Sequence, residues 1–203
     1  MHQPQDVHVY MLKRLLRYIN GTLIYDIPIT KSKPILQSFS EADWAGDPVS
    51  RKSTSGYCSF LGNTLVSWTV KKQHTVARSS TESEYRALAS LTADVIWLRR
   101  VLEDFGVPNK SPTDIHCDNI SAIALANNPV FHARTKHIEI DHRFVRDHIQ
   151  SNNIRLLPIS KVDQTAVILT KPLSTPRFHL LRNKLIVIPD PSVCWRVLEN
   201  KND

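Results

Sequence analysis

Residues 79–88, Ser-Ser-Thr-Glu-Ser-Glu-Tyr-Arg-Ala-Leu, place a run of hydroxyls and two carboxylates directly in front of the longest amphipathic segment of the chain. Leu88, Leu91, Val95, Leu98, Leu102 and Phe105 follow at alternating steps of three and four, which keeps them on one face of an α-helix. Ser79, Ser80 and Thr81 can each cap that helix, because a side-chain oxygen there accepts from backbone N–H groups that the first turn leaves free. Gly106 and Pro108 stop it. Glu82 and Glu84 admit two readings: a solvated helix start, or part of an acidic site completed by carboxylates from distant strands.

The segments around this helix set the fold class. Residues 35–43, 53–61 and 64–72 read as three strands, with Gly62-Asn63 as a two-residue hairpin and 46–52 as the other connecting loop. Beyond the helix come a short strand at 114–117 and a helix at 119–126, broken by Asn127-Asn128-Pro129. A helix at 135–150 follows, with Ile138, Phe144, Val145, His148 and Ile149 as its apolar side. A strand at 154–159 and short helices at 163–169 and 176–186 complete the order. This order predicts an α/β three-layer sandwich with a mixed five-stranded sheet flanked by helices. Its first three strands are antiparallel, and its fourth and fifth run parallel to the first. Sites in such sheets lie beyond the carboxyl ends of the strands.

The N-terminal segment has a different character. Asp6 is placed to cap a short helix with Leu12, Leu15, Leu16 and Ile19 on one face and Lys13, Arg14 and Arg17 on the other. Asn20-Gly21 is expected to end it in a left-handed cap, and 22–29 reads as a strand or hairpin arm. So small a helix does not bury its apolar face alone, so it is expected to belong with a larger neighbour. In the tail, 189–203, Cys194-Trp195 is a candidate docking patch and the rest is uninformative.

With 203 residues, 41% hydrophobic, the chain is long enough for a real core. Its net charge of +7 and pI near 9.5 point either to a polyanionic partner, nucleic acid first, or to a solvated basic face. Cys58, Cys117 and Cys194 form no CxxC pair, which argues against a disulfide framework or zinc site and for a reducing compartment. No apolar run approaches the roughly 20 residues that span a bilayer. The expectation is a soluble intracellular chain without a membrane partner, cytoplasm and nucleus being equally compatible.

Carboxylates fall at the ends of the predicted strands: Glu41 and Asp43 after the first, Asp118 after the fourth, with Glu84 from the long helix. Two-metal phosphoryl chemistry needs several carboxylates converging to hold Mg²⁺ ions about 3.5–4 Å apart. Strand, helix and strand of one α/β unit are a plausible source of them.

The chain resembles the C-terminal part of the Pol polyprotein of copia-type (Pseudoviridae-like) LTR retrotransposons. The resemblance rests on Ala42-Asp43-Trp44-Ala45-Gly46-Asp47, Arg51-Lys52-Ser53-Thr54-Ser55-Gly56-Tyr57, Ser67-Trp68 with Lys71-Lys72-Gln73, and the stretch 79–88. It continues through Trp97-Leu98-Arg99, Cys117-Asp118-Asn119, Arg134-Thr135-Lys136-His137-Ile138 and Ile168-Leu169-Thr170-Lys171-Pro172-Leu173. Met1-His2-Gln3-Pro4 and Lys13-Arg14-Leu15-Leu16-Arg17-Tyr18 extend it to the start of the chain, in the family's order. The resemblance implies a reverse-transcriptase tail at 1–34, a ribonuclease H-like domain at 35–173 and a C-terminal helix and tail at 174–203. It further implies hydrolysis of the RNA strand of RNA–DNA hybrids with Mg²⁺, and the remainder of a reverse transcriptase as partner.

Carried over position by position, the family's helix glutamate falls on Glu84 and its strand-four aspartate on Asp118. Its first aspartate falls on Glu41 and its fourth on Val167. Glu84, Asp118 and Glu41 are thus the implied catalytic and metal-holding residues, and 167 is a degenerate position. Glu41 keeps the charge but moves it out by one methylene, about 1.2–1.5 Å. A misplacement near 1 Å can cost on the order of 10²-fold in rate. Val167 supplies no ligand. Asp163, one turn earlier, and Asp43, two residues past Glu41, are candidate replacements. Cleavage is therefore expected to be impaired or absent, and the alternative is a non-catalytic nucleic-acid-binding relic of the same polyprotein.

Arg51, Lys52, Lys71, Lys72, Arg134 and Lys136 are the candidate backbone contacts for a nucleic acid, or else surface charge. Arg134 and Lys136 stand with His132, His137, His142, Arg143, Arg146 and His148, whose spacing matches no zinc motif. Residues 53–56, Ser-Thr-Ser-Gly, offer either hydroxyls for 2′-OH groups or ordinary turn polarity. Trp44, Trp68 and Trp97 read as core or edge packing, and Cys117 as a buried strand residue without a base to activate it.

Overall fold

The structure, a computed structural model, describes residues 3–128 and 138–189. The candidate contacts Arg134 and Lys136, the neighbouring His132 and His137, and the Cys194-Trp195 patch lie outside the described residues. The chain divides into two compact units, residues 29–185 and residues 1–28 with 186–203.

The larger unit is built on one sheet. Strands β2 (Leu36–Asp43), β3 (Thr54–Leu61) and β4 (Thr64–Lys72) form an antiparallel meander, and β5 (Thr113–Cys117) and β6 (Ile154–Pro158) extend it in parallel, in the order β4-β3-β2-β5-β6. This is the mixed sheet that the order of segments predicts, with four of the ten strand ends shifted by one residue. Gly62 makes the β3–β4 turn with φ of +59°, a conformation that suits a residue without Cβ.

Helix α2 (Ser80–Asp104) lies on the sheet with Leu88, Leu91, Val95 and Leu98 buried against Leu36, Ile115, Cys117 and Ile154. Ser79 is its cap: the Glu82 N–H donates to Ser79 Oγ at 3.2 Å. Gly106, at φ +74°, ends it as expected, donating to Glu103 O at 2.9 Å. Phe105 departs from the predicted apolar face: it sits at the cap, past the last regular turn, and is 78% exposed. Helix α3 (Ile120–Asn127) is capped by Asn119, whose side chain accepts from Ala122 N at 2.9 Å, and α4 (Glu139–Gln150) packs Val145 and His142 inward. Trp44, Trp68 and Trp97 are about half exposed, Trp44 donating from its ring to Ala77 O at 3.1 Å.

The predicted short helix at 163–169 is a 3₁₀ turn, Thr165–Leu169, followed by α5 (Thr175–Lys184). Buried Gln164 fixes the turn to the centre of the sheet, its Nε2 donating to Ser40 O at 2.9 Å. Gly56 admits the turn to the sheet, since a Cβ there would lie 2.6 Å from Thr170 Cγ2 and 2.9 Å from Leu169 Cβ.

In the smaller unit α1 (Asp6–Asn20) buries none of its residues, and Leu12, Leu15, Leu16 and Ile19 are all exposed. Its cap is Gln5, whose N–H donates to His8 Nδ1 at 3.0 Å, so Asp6 is the first helical residue and not the cap. Gly21 has φ of −75°, so the helix ends in a right-handed turn closed by Gly21 N to Arg17 O, not the left-handed cap that Asn-Gly suggests. Of 22–29 only β1 (Tyr25–Asp26) is strand, paired antiparallel with β7 (Ile188–Pro189). No helix among the described residues is long and apolar enough to cross a membrane.

Candidate functional site

Register brings the predicted carboxylates together. β2 and β5 are parallel with Ser40 opposite Cys117, so the next residues along, Glu41 and Asp118, leave the pair side by side. Helix α2 begins over the same strand end. Gln73 ties its approach down, donating from Nε2 both to Ser55 Oγ and to Ser83 O at 2.9 Å. Glu84 comes down one turn into the helix, against the Ala42 backbone N–H. Glu41, Glu84 and Asp118 line one cleft of about 680 Å³ together with Asp43 and Val167. Ligand atoms of Glu84, Asp118 and Cys117 lie within 4.8 Å of one another.

Neither helix glutamate is a solvated helix start; both are buried, and for different reasons. Glu82 closes the helix end, accepting from Arg78 N at 2.8 Å and pairing with Arg86 Nη2 at 2.7 Å. Glu84 turns into the cleft, and its Oε2 is buried without a hydrogen-bond donor among the described residues. Burial first, and then the charges of Glu41 and Asp118, push Glu84 up from 4.5 to about 9, although the Ala42 N–H opposes the rise. Glu41 is raised to about 7, again chiefly by burial and then by Asp118, with the Lys171 ammonium pulling the other way. Its Oε2 also lacks a donor among the described residues. Two buried carboxylate oxygens without donors, converging with a third carboxylate, are what a hard divalent cation accepts, and Glu84 with Asp118 would hold one.

Lys171 is the residue that periodicity and strand-end reasoning missed. Its Nζ lies 2.6 Å from Glu41 Oε1 inside the cleft. The available signal was its place four residues after Val167 in the Ile-Leu-Thr-Lys motif. Lys161 and Arg177 also line the cleft, Arg177 donating to Lys161 O at 2.8 Å. Asp43 lines it too, because β2 continues through it and keeps it on the side of Glu41. Asp163 does not replace the missing carboxylate: it is held outside the cleft by Lys184 Nζ at 2.7 Å and Ser160 Oγ at 2.7 Å.

Of the predicted basic residues, the four that are described, Arg51, Lys52, Lys71 and Lys72, do not line the cleft. Lys71 and Lys72 line a second hollow of about 460 Å³ with His74, Arg86 and Phe144, and Lys72 is paired with Asp47. Arg51 and Lys52 sit on the 46–52 loop, which closes by Arg51 N to Asp47 O at 2.9 Å. Cys117 is buried, and burial followed by the charge of Glu84 pushes its thiol well above the usual range, which agrees with a strand residue that is no nucleophile.

No protein-family model matches the chain. Over 199 residues, 98% of its length, it is 44% identical to the retrovirus-related Pol polyprotein from transposon RE2 of Arabidopsis thaliana. Over 182 residues, 90% of its length, it is 36% identical to the corresponding polyprotein from transposon TNT 1-94 of Nicotiana tabacum. The chain spans 14% of the length of each of these relatives. Among solved structures, LC11-RNase H1, isolated from compost by a metagenomic approach, is similar with a TM-score of 0.52 and 13% identity, covering 68% of this chain and 93% of that one. That likeness speaks for the fold alone. Over nearly all of its length the chain is related to a segment of the retrovirus-related Pol polyproteins of copia-type transposons, and its five-stranded unit has an RNase H-like fold.

Proposed function

We propose that residues 35–173 are a ribonuclease H domain for RNA–DNA hybrids in which cleavage is strongly reduced. Residues 1–34 are then the end of a reverse-transcriptase module, whose remainder is the natural partner of the exposed apolar face of α1. The observation that carries this reading is the convergence of Glu41, Glu84 and Asp118 in one cleft whose fourth wall is Val167.

A divalent metal such as Mg²⁺, when bound, supplies the Lewis-acid charge that a phosphodiester under attack requires. Glu84 and Asp118 hold it, and Lys161 and Arg177 on the cleft wall face the phosphates of an incoming strand. Glu41 reaches further than an aspartate at its position would, and one of its oxygens is engaged by Lys171. Val167 offers no ligand at its corner of the cleft. The site thus keeps the means to bind and lacks half of the means to position.

A second reading, the non-catalytic nucleic-acid-binding relic, is favoured by the Lys171–Glu41 pair, which satisfies a carboxylate that catalysis would need. One experiment separates the two. Filter binding of a labelled RNA–DNA hybrid over a salt series, run beside a cleavage assay with Mg²⁺, gives binding with slow cleavage under the first reading and binding alone under the second. Rapid cleavage abolished by Glu84→Gln contradicts both, and absence of binding at low salt removes the nucleic-acid function altogether.

A further inference from the structure

Val167 and Lys171 belong to one turn of chain. The Lys171 N–H donates to Val167 O at 3.1 Å, so the two side chains are stacked one turn apart and both line the acidic cleft. The same segment that lacks a carboxylate therefore delivers an ammonium. That ammonium is not a loose surface charge. It is bonded to a carboxylate whose side chain is 2% exposed, and the lysine's own side chain is 40% exposed. The segment that carries it is anchored at both ends of the approach, by Gln164 on the Ser40 carbonyl and by the packing of Leu169 and Thr170 onto Gly56.

A divalent ion placed against Glu41 would sit next to this fixed positive charge, and like charges at such a separation repel strongly where water is scarce. On the other side of the cleft Glu84 and Asp118 approach each other, Glu84 Oε2 has no donor among the described residues, and the Lys171 ammonium acts on Glu84 only through its charge, without a bond to it. We propose that Lys171 is a built-in monovalent cation standing where one of two divalent ions would sit. The cleft then takes a single divalent ion, on Glu84 and Asp118, with Glu41 committed to the ammonium. The expectation of two ions rests on the nuclease reading above, but the number bound is measured without any nucleic acid.

Mn²⁺ is the probe. Calorimetric titration of the full chain, with free Mn²⁺ counted by its electron paramagnetic resonance signal, gives one ion per chain for the wild type. Lys171→Met, which keeps the length and removes the charge, gives two, and Mn²⁺ raises its melting temperature by more than that of the wild type. Lys171→Gln serves in its place if the methionine variant does not fold. Lys184→Met removes a lysine that is paired with Asp163 outside the cleft, and it stays at one ion. Two ions of comparable affinity in the wild type, or a single ion in both Lys171 variants, overturn the proposal and leave the nuclease reading standing. No ion bound by any of these proteins overturns both.

Discussion

Glu41 stands directly opposite Gly56 in the β2–β3 ladder, and the missing side chain at Gly56 is what lets the 165–171 segment settle onto the sheet beside it. Four segments distant in sequence meet there: β2, β3, the start of α2 and the 3₁₀ turn with Lys171. The wall of the cleft that carries Lys171 is seated there because this strand position has no Cβ.

Gly56→Ala is accordingly expected to destabilise the domain by about 1–3 kcal/mol, the usual cost of overpacking a well-filled site. The same change displaces Lys171 from Glu41, since Leu169 and Thr170 must give way. Urea denaturation measures the first effect; an unchanged midpoint would mean that the turn is not seated on Gly56.

The raised carboxyls give stability a direction with pH. Glu41 and Glu84 hold their protons more tightly in the folded chain than at the ordinary value of 4.5, so their contribution is fully present below about pH 4.5. It declines as pH rises through about 7 for Glu41 and about 9 for Glu84. Melting temperature in EDTA should therefore fall between pH 5 and pH 9. Glu84→Gln, which keeps the shape without the charge, should flatten that fall and stabilise the metal-free domain at pH 9 by on the order of 1–4 kcal/mol. A variant less stable than wild type at pH 9 would show that Glu84 is not held at an energetic cost.

Glu82 and Glu84 differ by two positions and are expected to respond in opposite ways. Glu82→Gln loses a charged bond to Arg86 and weakens the helix start, a cost of about 1 kcal/mol. It leaves Mn²⁺ affinity unchanged, because its oxygens are engaged at the helix end. Glu84→Gln removes Mn²⁺ binding. Calorimetry on the two variants checks this, and equal losses of affinity would contradict the division of roles.

Among the basic side chains, Lys71 and Lys72 provide a contrast. Lys72 is already paired with Asp47, whereas Lys71 makes no ion pair among the described residues. If both face a nucleic-acid backbone, Lys71→Ala lowers the salt slope of hybrid binding by roughly 0.7–0.9, and Lys72→Ala by less. Identical slopes for the wild type and Lys71→Ala would take Lys71 out of the interface.

Much of this architecture is written locally. Alternation gives the strands, Gly62 gives their turn, and Ser79 and Gly106 give the limits of the long helix, because each acts within a few residues. The failures are also physical. Asn20-Gly21 is permissive of a left-handed cap without requiring one, and Phe105 continues a helical period beyond the point where the helix has ended. Strand ends and the helix start already point to Glu41, Asp118 and Glu84, and the family pattern adds the role of each position. Asp163 is a candidate replacement by its place one turn before Val167, and only Lys184, 21 residues away, shows that it is held elsewhere. The pairing of Lys171 with Glu41 spans 130 residues, and no periodicity reaches so far.

The central claim is that this is a ribonuclease H site gathered by the fold but lacking the geometry for cleavage. The most direct test is hydrolysis of a labelled RNA–DNA hybrid with Mg²⁺ by the wild type beside the double variant Glu41→Asp, Val167→Asp. The account predicts that the double variant is faster by on the order of 10²-fold or more, and that adding Glu84→Gln to it removes the gain. A wild type that cuts as fast as the double variant would contradict it.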